Sequence, residues 1–317
     1  MLAWDDDLDS ARGTAVRGLL LAARKADGRP EIEADGPLPA EFAGGRYLLA
    51  YDGTELTGLA HLAGDAFGRQ VAELIVHPDV RGKGHGAALI AELTKAVPAD
   101  LRVWAHGDHP AAARLAERFG FTRARELLVM HVAVARADWP EPTPPEGVTL
   151  RTFVPGRDEQ AVIDVNARAF DWHPEQSAFS VAQLREAETQ DWFDADGFFL
   201  AENAAGQVVG FHWTKVHPAN PERFGGRPEE DTAARSASVA GGGGRRVGEV
   251  YVVGVDPAAQ GGGLGRTLTL AGLRYLRERG LGQVILYVEG DNAPAIAVYR
   301  RLGFDIHEVD VQYALNP

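Results

Sequence analysis

Two apolar stretches, Tyr47–Tyr51 and Leu56–Ala63, flank the dipeptide Asp52-Gly53. Asp-Gly supplies the positive φ of a tight turn, so the segment is expected to form a hairpin. Val71–Val76 and Leu101–Ala105 read as two further strands, and Glu126–Ala135 as a late antiparallel one. Between them Leu89, Ile90, Leu93 and Val97 recur at helical spacing. Further along, the pattern predicts a strand at Val148–Phe153, helices near Asp158–Ala169 and Val181–Glu188, and strands at Phe198–Ala201 and Val208–Val216. Periodicity then lapses over Phe224–Gly248, which contains Gly241–Gly244 and is expected to be an insertion, either an inert loop or a lid over a substrate. It resumes with a strand at Glu249–Val255 and a helix from Gly265 to about Arg279, with Leu268, Leu276 and either Tyr275 or Gly272 inward. A strand at Val284–Val288, a helix at Ala293–Arg301 and a strand near Ile306–Leu315 complete the chain.

The pattern occurs twice. AELIVHP leads into Arg81-Gly82-Lys83-Gly84-His85-Gly86, and EVYVVGVDP leads into Gln260-Gly261-Gly262-Gly263-Leu264-Gly265, 179 positions later. In both places a helix and a strand follow, then a short helix ending in Gly-Phe (Gly120-Phe121, Gly303-Phe304). This is a tandem repeat of a whole domain. The stiff tract Trp139–Gly147, with four prolines, cannot enter a sheet and divides the chain into 1–138, a linker at 139–147, and 148–317. Each half is expected to be α/β (α+β), a mixed, mostly antiparallel sheet flanked by helices.

Composition narrows the chemistry. A length of 317 residues suits about two domains. The formal charge of −13 argues against a nucleic-acid partner, whose phosphates reward a basic face. With no Cys, disulfides, cysteine nucleophiles and thiolate metal sites are excluded. The ten His residues show no ligand spacing, so no metal is expected. No run approaches the roughly 18 apolar residues of a membrane span, and the acidic N-terminus has no apolar signal core. A cytoplasmic monomer acting on small molecules is the expectation.

A strand that enters a glycine turn opening a helix leaves backbone N–H groups unpaired and aims the positive end of the helix dipole at one spot. Glycine lets a diphosphate approach that spot without a Cβ in the way. On these paired turns, both fitting [Q/R]-x-x-G-x-G, the sequence resembles the GNAT acetyltransferase superfamily, in which such a loop holds the pyrophosphate of acetyl-CoA. The resemblance covers nearly the whole chain, once per half. Acetyl transfer to an amine needs a base, donors for the developing oxyanion, and an acid for the leaving thiolate. Aligning the halves on the turns sets Glu249 opposite Gln70, and counting back from the Gly-Phe pairs sets Tyr299 opposite Ala116 and Asn292 opposite His109. One catalytic half and one degenerate half are therefore expected, with the first half retained as structure. By residue type alone, Glu249 fits a surface carboxylate and Tyr299 a core tyrosine as well as they fit a base and an acid.

Four segments carry a narrower resemblance: Phe170-Asp171-Trp172-His173-Pro174-Glu175-Gln176, Phe211 to Pro218, Glu249 to Gln260, and Leu286 to Asn292. Together they are similar to the mycothiol synthase family, tandem enzymes that acetylate the cysteine amine of a cysteinyl-glucosaminyl-inositol. That resemblance implies Glu249 as general base and Tyr299 as general acid. It implies substrate contacts at Glu33, Glu175, Lys215, Glu249 and Tyr287. Acetyl-CoA would lie on Val253, Gly254 and Val255, on Gln260, Gly261, Gly262, Gly263, Leu264, Gly265 and Arg266, and on Asn292, Ala293, Pro294, Ala295, Ile296 and Ala297. In the first half it would lie on Leu74, Ile75 and Val76, and on Arg81, Gly82, Lys83, Gly84, His85 and Gly86. The alternatives are a GNAT enzyme for another small amine, aminoglycoside-like or peptide, and a non-catalytic acetyl-CoA-binding module.

Overall fold

The computed structural model describes residues 1–28, 32, 38–42, 44–65, 68–171, 179–217 and 246–315. Glu33, Glu175 and residues 224–245 of the expected insertion lie outside the described residues.

The first half opens with β1 (Leu2–Asp5) and α1 (Ser10–Ala26). Asp9 caps α1 by accepting the Arg12 N–H, and Val16, Leu19, Leu20 and Ala23 form its buried stripe. Strands β2 (Arg46–Asp52), β3 (Glu55–Gly64) and β4 (Gln70–Val76) form a meander with the expected turn at Asp52-Gly53. Then come α2 (His85–Ala96), β5 (Leu101–Ala105), α3 (Pro110–Arg118) and β6 (Phe121–Ala133). The second half repeats the order with one helix added, α5: β7 (Val148–Thr152), α4 (Glu159–Ala169), α5 (Val181–Glu188), β8 (Phe198–Asn203), β9 (Val208–His217), β10 (Val247–Val255), α6 (Leu264–Glu278), β11 (Gln283–Glu289), α7 (Ala293–Arg301) and β12 (Asp305–Leu315). β10 thus starts two residues before Glu249, inside the tract expected to be irregular.

The twelve strands of the described residues join one sheet, in the order β1-β2-β3-β4-β5-β12-β6-β11-β10-β9-β8-β7. The halves exchange their last strands. β12 pairs antiparallel with β5, while β6, from the first half, pairs antiparallel with β11 in register from Gln283↔Ala133 to Glu289↔Leu127. The two exchanged strands also pair with each other, from Asp305↔His131 to Leu315↔Phe121. The core follows the exchange: Val311 and Tyr313 of β12 pack with Leu89, Leu93 and Leu101, and Leu128, Met130 and Val132 of β6 pack with Leu273, Leu276 and Phe304. Each such large buried side chain contributes about 1.5–3 kcal/mol.

The Pro-rich tract is anchored at its start and at its middle. Trp139 is buried, its Nε1–H donates to the Leu302 carbonyl at 2.9 Å, and the Thr267 hydroxyl donates to the Thr143 carbonyl at 3.0 Å. Among the described residues no helix is long and apolar enough to cross a membrane.

Helix α6 lies tight against β9 because Gly272 has no side chain. A Cβ there would clash with Cε1 of the buried His212. The His212 Nδ1–H donates to the Leu268 carbonyl at 2.8 Å, and burial pushes the imidazole down to about 4. An unfolded chain protonates this histidine near pH 6.5, so the stabilisation is complete above that pH and is lost as pH falls toward 4. Over that window the loss from this one site is expected to reach at most about 3 kcal/mol. Denaturant titrations between pH 7 and 4 would show it, and His212→Leu should flatten that part of the profile.

Candidate active site

Both halves build the same cleft by the same backbone device. β10 pairs parallel with β11 only from Gly248↔Val284 to Val250↔Leu286, and a bulge follows between Val250 and Val252. Beyond it β10 stays bonded to β9 but parts from β11, so one edge of Val253, Gly254 and Val255 faces the opening. β4 and β5 likewise pair only from Gln70↔Leu101 to Glu73↔Trp104, which frees Leu74, Ile75 and Val76. Extended edges of this kind offer N–H and C=O groups to an amide-bearing ligand.

At the end of each parted strand lies the glycine turn. The first side chain of the motif ties the turn back to the strand: Arg81 Nε–H donates to the Val76 carbonyl and Gln260 Nε2–H to the Val255 carbonyl, each at 3.2 Å. Gly84 and Gly263 cap α2 and α6 at φ +94° and +82°, where a side chain would be strained. The first intrahelical bonds are Ala88 N–H to Gly84 O and Thr267 N–H to Gly263 O. The amides of His85, Gly86 and Ala87, and of Leu264, Gly265 and Arg266, precede them and have no intrahelical acceptor, which is what an anion requires.

In the first half the cleft is a cavity of about 420 Å³ lined by Leu74, Ile75, Val76, Arg81, Gly82, Gly84, His85 and Gly86. Lys83, expected with them, is exposed and does not line it. Arg81 also holds Asp27, the C-cap of α1, through a two-pronged pair at 2.5 and 2.8 Å.

The second half carries the proton-transfer candidates. Glu249 opens no exposed surface: its side chain is 8% exposed, and Oε2 lies 2.6 Å from Nε2 of His217. Lys215 faces Glu249 directly across the β9–β10 ladder. Its ammonium is 4.3 Å from the Trp192 ring centroid and 5.1 Å from that of Tyr251. Burial, and then the charge of Glu249, raise the Tyr251 phenol. Tyr287 lies beyond the last β10–β11 pair and is 45% exposed, well placed for a ligand.

Tyr299 sits on α7, its ring 5.9 Å from that of Phe304. Among the described residues nothing hydrogen-bonds its hydroxyl, and desolvation pushes the phenol up to about 12. It therefore keeps its proton at neutral pH. Asn292 caps α7 by accepting the Ala295 N–H at 3.2 Å, and His109 caps α3 by accepting the Ala111 N–H at 3.1 Å. The two aligned positions thus share a structural job. Ala293, Pro294, Ala295, Ile296 and Ala297 form the first turn and a half of α7.

Sequence reasoning missed His217, although its spacing of two from Lys215 on a strand puts both side chains on one face. It also missed a carboxylate–imidazole group in the first cavity. His106 lies 2.8 Å from Glu73 and 3.0 Å from Asp310, the latter supplied by β12. No local pattern could have joined residues 73 and 310.

A repeated diverging-strand cleft with a glycine-capped helix at its end defines a tandem GNAT acetyltransferase. The acetyltransferase (GNAT) family model matches residues 166–304, and an acetyltransferase (GNAT) domain model matches 43–123. The fold is shared with a GCN5-related N-acetyltransferase from Sphaerobacter thermophilus (TM-score 0.69, 23% identity, 100% of this chain and 96% of that one). It is also shared with a tandem GNAT protein from the clavulanic acid biosynthesis pathway (TM-score 0.66, 21% identity, 99% and 98%). In sequence the chain is 68% identical to a mycothiol acetyltransferase of Saccharomonospora viridis over 98% of this chain and 97% of that protein. It is 60% identical to one of Amycolatopsis mediterranei, over 98% and 97%. The chain belongs to the mycothiol acetyltransferase family.

Proposed function

We propose that this chain transfers acetyl from acetyl-CoA to the cysteine amine of cysteinyl-glucosaminyl-inositol, the last step of mycothiol biosynthesis, in its second half. The observation that carries the mechanism is Glu249, a buried carboxylate one residue before the last β10–β11 pair, where the cleft opens. Full-length identity of 68% supports the acceptor.

Acetyl-CoA lies with its pyrophosphate on the amides of Leu264, Gly265 and Arg266, and its amide-bearing arm along Val253, Gly254 and Val255. Gln260, Gly261, Gly262 and Gly263 hold the turn, and Asn292 to Ala297 close the other wall. Glu249 takes a proton from the ammonium of the substrate, directly or through a water, and the freed nitrogen lone pair attacks the thioester carbonyl. The C–S bond breaks as the C=O re-forms, the Tyr299 hydroxyl gives its proton to the departing thiolate, and the second proton shed by the nitrogen as it becomes an amide restores the phenol through solvent. An α-ammonium with an ordinary pKa near 8 asks little of the base. Lys215 and Tyr287, with Glu33 and Glu175, contact the sugar and inositol. The first half holds acetyl-CoA without turning it over, and the enzyme works as a cytoplasmic monomer.

The test follows the acetylated product by mass with purified protein, acetyl-CoA and the acceptor. Tyr299→Phe is expected to lower kcat by about 10²-fold, within the range for loss of a general acid, while acetyl-CoA binding stays unchanged. Wild-type kcat in that variant would remove Tyr299 from the mechanism. An Arg81→Ala variant should retain turnover, and its loss would contradict the one-active-half reading.

A further inference from the structure

We propose that His217 is a positioning residue for Glu249, and that it commits Oε2 so that Oε1 alone receives the substrate proton. This rests on the reading of Glu249 as the base.

The argument starts from the ladder. Lys215 pairs with Glu249 and His217 with Val247, so His217 and Glu249 are diagonal neighbours on one face of β9 and β10. Their side chains are 11% and 8% exposed, and the Nε2–Oε2 distance of 2.6 Å is that of a strong, charge-assisted bond. A carboxylate this buried is costly unless hydrogen-bonded, and a free one would turn about its side-chain torsions.

The direction of the bond follows from the chemistry. A base must be ionised when the amine arrives, and an ionised carboxylate only accepts. His217 must therefore carry its proton on Nε2 and donate it to Oε2. That leaves Oε1 with its lone pairs for the amine proton, fixed in direction by the imidazole behind it. Lys215 and Tyr251 share this face, but the Lys215 ammonium lies over the Trp192 and Tyr251 rings. The imidazole is the side chain bonded to Glu249 at 2.6 Å.

Steady-state kinetics on the intact chain tests this, with foldedness checked by thermal melts. The amide nitrogen of Gln reaches the place of Nε2, whereas that of Asn falls short. His217→Asn is expected to lower kcat by about 10–100-fold through misplacement of the base, with the KM for acetyl-CoA unchanged. His217→Gln should restore most of kcat. In a Glu249→Gln background, His217→Asn should cost nothing further, because it acts through the carboxylate.

Wild-type kcat in His217→Asn would overturn the proposal, as would an equal loss for Asn and Gln, or an undiminished effect in the Glu249→Gln background. The two readings fail separately. Full activity in Glu249→Gln removes the base itself, whereas an inactive Glu249→Gln beside an unaffected His217→Asn removes only the role of His217.

Discussion

Glu249→Gln is expected to lower kcat for acetylation by about 10²–10⁴-fold, the range for removal of a general base, while acetyl-CoA affinity stays near wild type. The amide keeps the size of the carboxylate and can still meet His217, so the fold should hold. What it loses is the capacity to accept a proton, since an amide nitrogen has no available lone pair. In the proposed mode of binding the coenzyme lies on backbone and glycine, at Val253 to Val255 and Gln260 to Gly265, which the substitution does not touch. Product mass and direct binding of acetyl-CoA separate the two effects. Near wild-type kcat would show that the amine loses its proton elsewhere.

The second large effect concerns the fold. Expressed alone, neither 1–138 nor 148–317 is expected to give a stable, soluble domain, whereas the two pieces expressed together should associate. β5 ends the first half without β12, and β11 ends the second without β6. Each separated half would expose an unpaired edge in the middle of its sheet and strip cover from its core: Val311 and Tyr313 from one, Leu128, Met130 and Val132 from the other. Size-exclusion chromatography and circular dichroism of the pieces, singly and together, give the result. Two separately folded monomers would mean that β6 and β12 can close their own halves.

The same exchange gives the first cavity a residue from the second half, Tyr313 of β12. Asp310 of β12 accepts the Gly107 N–H at 3.0 Å and lies against His106, which lines the cavity. Glu289, at the end of β11, is held by Arg125 of β6. The wall of the first cavity therefore depends on the second half, and the end of β11 is tied to the first.

Much of this protein was legible in local pattern. The hairpin at Asp52-Gly53, α5, α7 and β5 fall where turn chemistry and spacing put them. The glycine turns were legible as well, because positive φ and an uncovered helix start are properties of a few adjacent residues. Helix α1 was missed although Asp9 and the Val16, Leu19, Leu20, Ala23 stripe mark it. β10 was expected to start at Glu249, because the small residue Gly248 hides the strand; a Cβ there would lie within 3.0 Å of Leu281 and Leu276.

By itself the sequence determined the two repeats, most of their element order, the glycine turns and the candidate proton-transfer residues, since each depends on neighbours in the chain. Only the tertiary structure decided which strand pairs with which. Periodicity fixes the face a side chain takes and is silent on its partner. Hence the exchange of β6 and β12, the bond from His217 to Glu249 and the grouping of Glu73, His106 and Asp310 appear only once the sheet is assembled.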